Sequence, residues 1–120
     1  MTTRTAQDIQ NFLHHQVELW NDGKKDEMFA LYHQMVPGKM SIEYIGQPLL
    51  EGWAALEDMW LRFAGKVHID VKEVMVTGQE AACYHHNQTV GADIPPRPSI
   101  ELYQFDGDDV HIRYFHAAKI

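Results

Sequence analysis

Hydrophobic positions recur with two different periods along this chain, and the change between them separates a helical first half from a strand-rich second half. Ile9, Phe12, Leu13, Val17 and Trp20 fall at helical spacing. They follow Thr5-Ala6-Gln7-Asp8, a Thr cap with an acid three residues on, which reads as a capping box; Asn21-Asp22-Gly23 stops the helix. A second helix is predicted at about 25–34, with Met28, Phe29, Tyr32 and Met35 inward, and Pro37-Gly38 ends it. Trp53, Leu56, Trp60 and Phe63 make the apolar face of a third helix that starts at Gly52 and stops at Gly65.

Between the second and third helices, 41–45 reads as a strand and Gly46-Gln47-Pro48 as a sharp turn. Alternation puts Met40, Ile42 and Tyr44 on one face and Ser41, Glu43 and Ile45 on the other. Glu43 is then either solvated or lining a cavity.

From Lys66 the period becomes two. Val67, Ile69 and Val71 alternate with His68, Asp70 and Lys72 through 66–77, with a register shift at Glu73-Val74 of the kind a bulge makes. Gly78-Gln79 is a turn, 80–90 a strand, and 91–98, with Pro95, Pro96 and Pro98, a loop. Residues 99–105 and 110–118 pair as a hairpin across Asp106-Gly107-Asp108-Asp109. Helices first and a long antiparallel run after them give an α+β fold in a single domain, 1–120.

Composition narrows the function classes. The 120 residues, 45% of them hydrophobic, suffice for one core. A net charge of −7 argues against nucleic acid, whose recognition needs clustered Lys and Arg. The single cysteine, Cys83, excludes an internal disulfide framework, suits a reducing compartment and reads as a small buried hydrophobe. The opening Met-Thr-Thr-Arg-Thr-Ala-Gln-Asp lacks the apolar core of a signal peptide, and no stretch has the length of a membrane span. The expectation is a cytoplasmic protein. No Gly-rich phosphate loop, G-x-S-x-G elbow or zinc-protease helix occurs, so no cofactor is expected.

Three polar residues interrupt the pattern. Gln16 occupies an apolar position of the first helix stripe, where a buried amide costs about 1–3 kcal/mol unless it is hydrogen-bonded. It either reaches water at the stripe's edge or faces a cavity. Glu101 shares a strand face with Tyr103 and Phe105, while Ile100 and Leu102 occupy the other face, so the strand is apolar on both sides. Such a carboxyl has its pKa raised by desolvation unless a cation neutralises it. One of His85 and His86 must face inward. His68-Ile69-Asp70 has the spacing of an iron facial triad, with His86 or His111 as third ligand. The buried parity of Val67, Ile69 and Val71, however, leaves His68 and Asp70 outside, and no metal is expected.

Taken with the order helix–helix–strand–turn–helix–long sheet, three segments carry a resemblance across nearly the whole chain. They are Glu18-Leu19-Trp20-Asn21-Asp22-Gly23, the Gly-Gln-Pro…Gly-Trp turn from Gly46 to Trp53, and Tyr103-Gln104-Phe105-Asp106-Gly107. The chain resembles the nuclear transport factor 2-like superfamily, which includes ketosteroid isomerases, SnoaL-like polyketide cyclases and scytalone dehydratases. The resemblance implies a cone: three N-terminal helices packed in a strongly curved, mainly antiparallel sheet enclosing an apolar pocket, dimerising through the sheet's outer face.

Residue by residue, similarity to ketosteroid isomerase puts its general base on Glu43, its neutral oxyanion-hole acid on Glu101 and its oxyanion-hole Tyr on Gln16. In that isomerase an apolar site keeps the acid neutral, so that it can donate a hydrogen bond. Similarity to scytalone dehydratase implies roles for His68 and one of His85 and His86, and turns Tyr44 rather than Glu43 inward. Similarity to SnoaL-like cyclases puts His116, after Tyr114-Phe115, where many carry a catalytic Asp; its ordinary pKa suits acid/base work. The implied catalytic set is Glu43, Glu101, Gln16, His68 and His116. The implied function is a cofactor-independent isomerase, dehydratase or cyclase acting on a hydrophobic carbonyl or phenolic small molecule. The alternative is a non-catalytic ligand-binding or dimerisation module.

Overall fold

A computed structural model describes residues 3–117. Thr5 caps the first helix as its sequence predicts: the Asp8 amide donates to Thr5 Oγ1 at 3.0 Å and the Thr5 amide to Asp8 Oδ2 at 2.9 Å. The helices are α1 (Ala6–Asn21), α2 (Lys25–Met35) and α3 (Gly52–Phe63). The strands are β1 (Met40–Tyr44), β2 (Leu50–Glu51), β3 (Val67–Thr77), β4 (Glu80–Thr89), β5 (Arg97–Asp106) and β6 (Asp109–His116). Of the last expected strand, Ala118 lies outside the described residues.

One six-stranded sheet runs in the order β2-β1-β6-β5-β4-β3. All pairs are antiparallel except β1 with β6, which is parallel. Several details differ from expectation: β2 is an added strand, and β5 starts at Arg97, inside the expected loop 91–98. The helices are not all N-terminal to the sheet, because β1 and β2 come before α3. The bulge falls between Val71 and Glu73, slightly upstream of Glu73-Val74.

The helices pack on one face of the sheet, and the core fills the space between. Ile9, Leu13, Ile42, Leu56 and Ile112 are essentially inaccessible. The end of α1 is clipped to the edge strand: Asn21 Nδ2 donates to Ile69 O at 2.8 Å, and the Ile69 amide donates to Asn21 Oδ1 at 2.9 Å. One side-chain amide thus imitates the missing neighbour of an edge strand. Gly52 lets α3 start against β1, since a Cβ there would stand 2.6 Å from Met40 O. On β3 the parity is as read: Val67, Ile69 and Val71 are half-buried and His68, Asp70 and Lys72 exposed. No helix among the described residues is long and apolar enough to cross a membrane.

Candidate active site

Alternation along β4 and β5 aims a set of polar side chains into the core. On β4, Ala81, Cys83 and His85 are buried while Tyr84 is exposed, so the inward member of the histidine pair is His85. Register sets Cys83 opposite Glu101 and His85 opposite Ser99, which places Ser99, Glu101 and Tyr103 on the same concave face. Glu101 Oε2 lies 3.3 Å from His85 Nδ1, and the Tyr103 hydroxyl donates to Glu101 Oε1 at 2.6 Å. From the helices, the Tyr32 hydroxyl donates to Gln16 Oε1 at 2.9 Å. Two buried polar pairs therefore lie in the core, Tyr32 with Gln16 and Tyr103 with Glu101, the second beside His85. Gln16 is the inward-facing amide of its two alternatives.

His85 is 1% exposed, and its approach to Glu101 lies off the line of a good hydrogen bond. Neither ring nitrogen has a hydrogen-bond partner among the described residues. Buried imidazoles normally find partners, and the exceptions tend to have a function.

Burial works to raise the Glu101 carboxyl, but His85 beside it, the Tyr103 hydroxyl and the more distant His116 more than offset this, and the pKa is lowered. The neutral acid that the isomerase resemblance requires is therefore corrected to an ionised one. The group that holds Glu101 down comes from the neighbouring strand, where His85 stands 3.3 Å from its carboxylate. Desolvation and the Glu101 charge raise Tyr44, and raise Tyr103 and Tyr114 well above the ordinary phenol range, so all three remain hydrogen-bond donors at neutral pH.

Beside this cluster the Tyr44, Tyr114 and His116 rings pack together. Tyr44 lies 5.1 Å from Tyr114 and stacks on His116 at 5.9 Å, between ring centroids. His116 is exposed and Tyr44 half-buried, and Glu101 keeps 14% of its side-chain exposure.

Of the five sequence-selected residues, Gln16, Glu101 and His116 are brought to the concave side, and Glu43 and His68 are not. Register decides the matter for Glu43. It lies opposite Arg113, which lies opposite Leu102, whereas Tyr44, Tyr114 and Glu101 form the adjoining row. Residues opposite one another share a face, so Glu43 and Glu101 cannot act on one substrate atom. Glu43 instead contacts His111 and Arg113 on the convex face. His68 is exposed, and its neighbour Asp70 pairs with Lys72 at 2.7 Å. Among the described residues no three His, Cys, Asp or Glu side chains are grouped to hold a metal. The residues missed from sequence are Tyr32 and Tyr103, read only as core. His85 was recoverable, because Ala81 and Cys83 mark the inward parity of β4.

Three open depressions on the surface of the described residues are lined by none of Gln16, His85, Glu101 and His116.

No family model and no curated protein matches the sequence. Solved structures match it in shape. A candidate ketosteroid isomerase from Kribbella flavida DSM 17836 aligns with a TM-score of 0.72 at 13% identity, covering 95% of this chain and 81% of that one. A candidate SnoaL-like polyketide cyclase from Jannaschia sp. CCS1 aligns at 0.67 with 17% identity, covering 97% and 91%. A de novo designed protein with a curved β-sheet aligns at 0.74 with 14% identity, covering 95% and 88%. The chain has the nuclear transport factor 2-like fold. Shape at such identities says nothing of chemistry, which must be argued from the site.

Proposed function

We propose that this protein binds a hydrophobic carbonyl or phenolic small molecule and carries out cofactor-independent acid–base chemistry on it: isomerisation, dehydration or cyclisation. The buried His85–Glu101–Tyr103 set carries the reading, above all the imidazole whose nitrogens lack hydrogen-bond partners among the described residues. Ionised Glu101 takes a proton from carbon beside the carbonyl and returns it to the substrate, with His85 beside the carboxylate. Tyr44, still a phenol, donates a hydrogen bond to the enolate oxygen, and His116 exchanges the proton with solvent. Positioned proton transfer supplies about 10²–10⁴-fold. The ligand enters by parting Tyr44 from His116, and the protein works in the cytoplasm.

A thermal-shift screen against planar ketones, phenols and steroids at pH 5 and pH 8 tests this. A ligand at 100 times its Kd adds about 2.7 kcal/mol. Turnover of a hit is lost in Glu101→Gln and in His85→Gln and kept in Glu43→Gln; turnover that ignores Glu101→Gln overturns the assignment. A second reading, a non-catalytic module dimerising through the sheet, is supported by the convex face, where Met75, Ile100 and Tyr84 are 66%, 44% and 38% exposed. In that case a ligand binds without turnover, and sedimentation reports a homodimer that Met75→Lys dissociates.

A further inference from the structure

The convex face carries a second arrangement that the acid–base site does not use. Strands β1 and β6 run parallel with Ser41 opposite His111 and Glu43 opposite Arg113, so all four side chains project from one face. The Ser41 hydroxyl lies 2.7 Å from His111 Nδ1, and His111 Nε2 lies 3.3 Å from Glu43 Oε1. An ionised carboxylate only accepts, so Glu43 holds the imidazole hydrogen on Nε2. That leaves the Nδ1 lone pair facing the serine hydroxyl. A hydroxyl, a base aimed at it and a carboxylate fixing the base's tautomer are the parts of an activated nucleophile. The ring is turned end for end relative to the common triad, with the same division of labour.

Access and surroundings fit that role. His111 and Glu43 keep 31% and 29% side-chain exposure, enough to meet a substrate while partly shielded from water. Ser41 and His111 both line an open depression of about 1040 Å³ with the exposed apolar side chains Leu49 and Leu50. The acids Glu51, Glu80, Asp106 and Asp109 line it against the single cation Lys39, so its field repels anions.

We propose that Ser41, His111 and Glu43 form a hydrolytic site on the convex face, with Ser41 as nucleophile toward small neutral or cationic carboxylic esters. Ser41 Oγ attacks the carbonyl carbon while its proton passes to His111 Nδ1. The ester C–O bond then breaks, His111 returns the proton to the departing alcohol, and the acyl group remains on Ser41. Water adds to this acyl-enzyme, giving a proton to His111. The carboxylic acid leaves, and that proton restores the serine hydroxyl. Water is the only co-reactant. Ser41 and His111 are catalytic here, and Glu43 is a positioning residue. Arg113 Nε, also 3.3 Å from Glu43 Oε1, competes with His111 for the carboxylate. The site is independent of the concave one. It also lies toward the opposite end of the convex face from the row of Phe115, Ile100 and Tyr84.

The test treats the full chain with a fluorophosphonate and, separately, with p-nitrophenyl acetate. We expect an adduct that peptide mass spectrometry places on Ser41 and that Ser41→Ala abolishes, together with ester hydrolysis. His111→Asn slows labelling about 100-fold, and Glu43→Gln slows it less, each with an unchanged thermal midpoint. Arg113→Gln frees Glu43 and speeds labelling about twofold, a gain that a merely structural hydrogen bond between strands does not produce. A folded wild type with no adduct on Ser41 overturns the proposal. So does labelling indifferent to His111→Asn, or ester hydrolysis undiminished in Ser41→Ala.

Discussion

Glu101 and Glu43 each meet a histidine at 3.3 Å across neighbouring strands of the same sheet, one on the concave face and one on the convex. The residue types and the distance are alike, and the surroundings are not. His85 and Glu101 keep 1% and 14% side-chain exposure, while His111 and Glu43 keep 31% and 29%. Glu101 lies in a core of tyrosines, with its second oxygen taken by Tyr103. Glu43 shares a single oxygen between His111 and a half-exposed arginine. Water screens the outer pair, and its geometry matters more than its energy. Little screens the inner pair, so its partners set both its ionisation and its share of the fold's stability.

The largest expected effect is on stability. Glu101→Ala leaves a buried imidazole and the Tyr103 phenol without their shared partner and costs about 2–4 kcal/mol in urea unfolding. Glu43→Ala costs less than about 1 kcal/mol. Equal losses break the comparison.

Next comes pH. The folded-state pKa of Glu101 is lowered, so its ionisation contributes stability that is present above the unfolded value, about 4.3. That contribution is lost as pH falls through the lower folded value. The stability advantage of wild type over Glu101→Gln should hold at pH 6 and shrink below about pH 4. An advantage that grows on acidification contradicts the sign.

Smaller effects sharpen the inner half of the comparison. Tyr32→Phe strands the buried Gln16 amide and costs about 1–2 kcal/mol, and adding Gln16→Leu recovers part of the loss, which a double-mutant cycle measures. Smallest is the behaviour of Cys83. Burial, then the Glu101 charge, push its thiol well up, so a thiol-specific disulfide reagent should modify it only after unfolding. Rapid modification of the folded protein means the inner face is open.

Much of the architecture is legible in the chain. The Thr5–Asp8 capping box, the stripe from Ile9 to Trp20 and the alternation after Val67 are local signals, and each forms as read. Gln16 and Glu101 stand out because polar residues in apolar stripes need partners, and both have them. What failed is non-local. The parity of β1 is plain in the sequence, and the apolar Met40, Ile42 and Tyr44 mark its inward face. The isomerase resemblance pulls Glu43 to the wrong one. Glu101 reads as a neutral acid because its neighbour His85 arrives from β4 through a strand register that no local pattern encodes. The parallel pairing of β1 with β6, which assembles Ser41, Glu43 and His111, is hidden for the same reason. Strand β2, only Leu50–Glu51, is too short to show a period.

The most direct test of the inner site is a site-resolved carboxyl titration of Glu101 by carbon NMR, assigned with Glu101→Gln. An ionised Glu101 held by its neighbours predicts a midpoint below the ordinary glutamate value of about 4.3, displaced upward in His85→Leu. A midpoint above that value, unmoved by loss of His85, makes Glu101 a neutral acid and contradicts the ionised carboxylate on which the proposed chemistry rests.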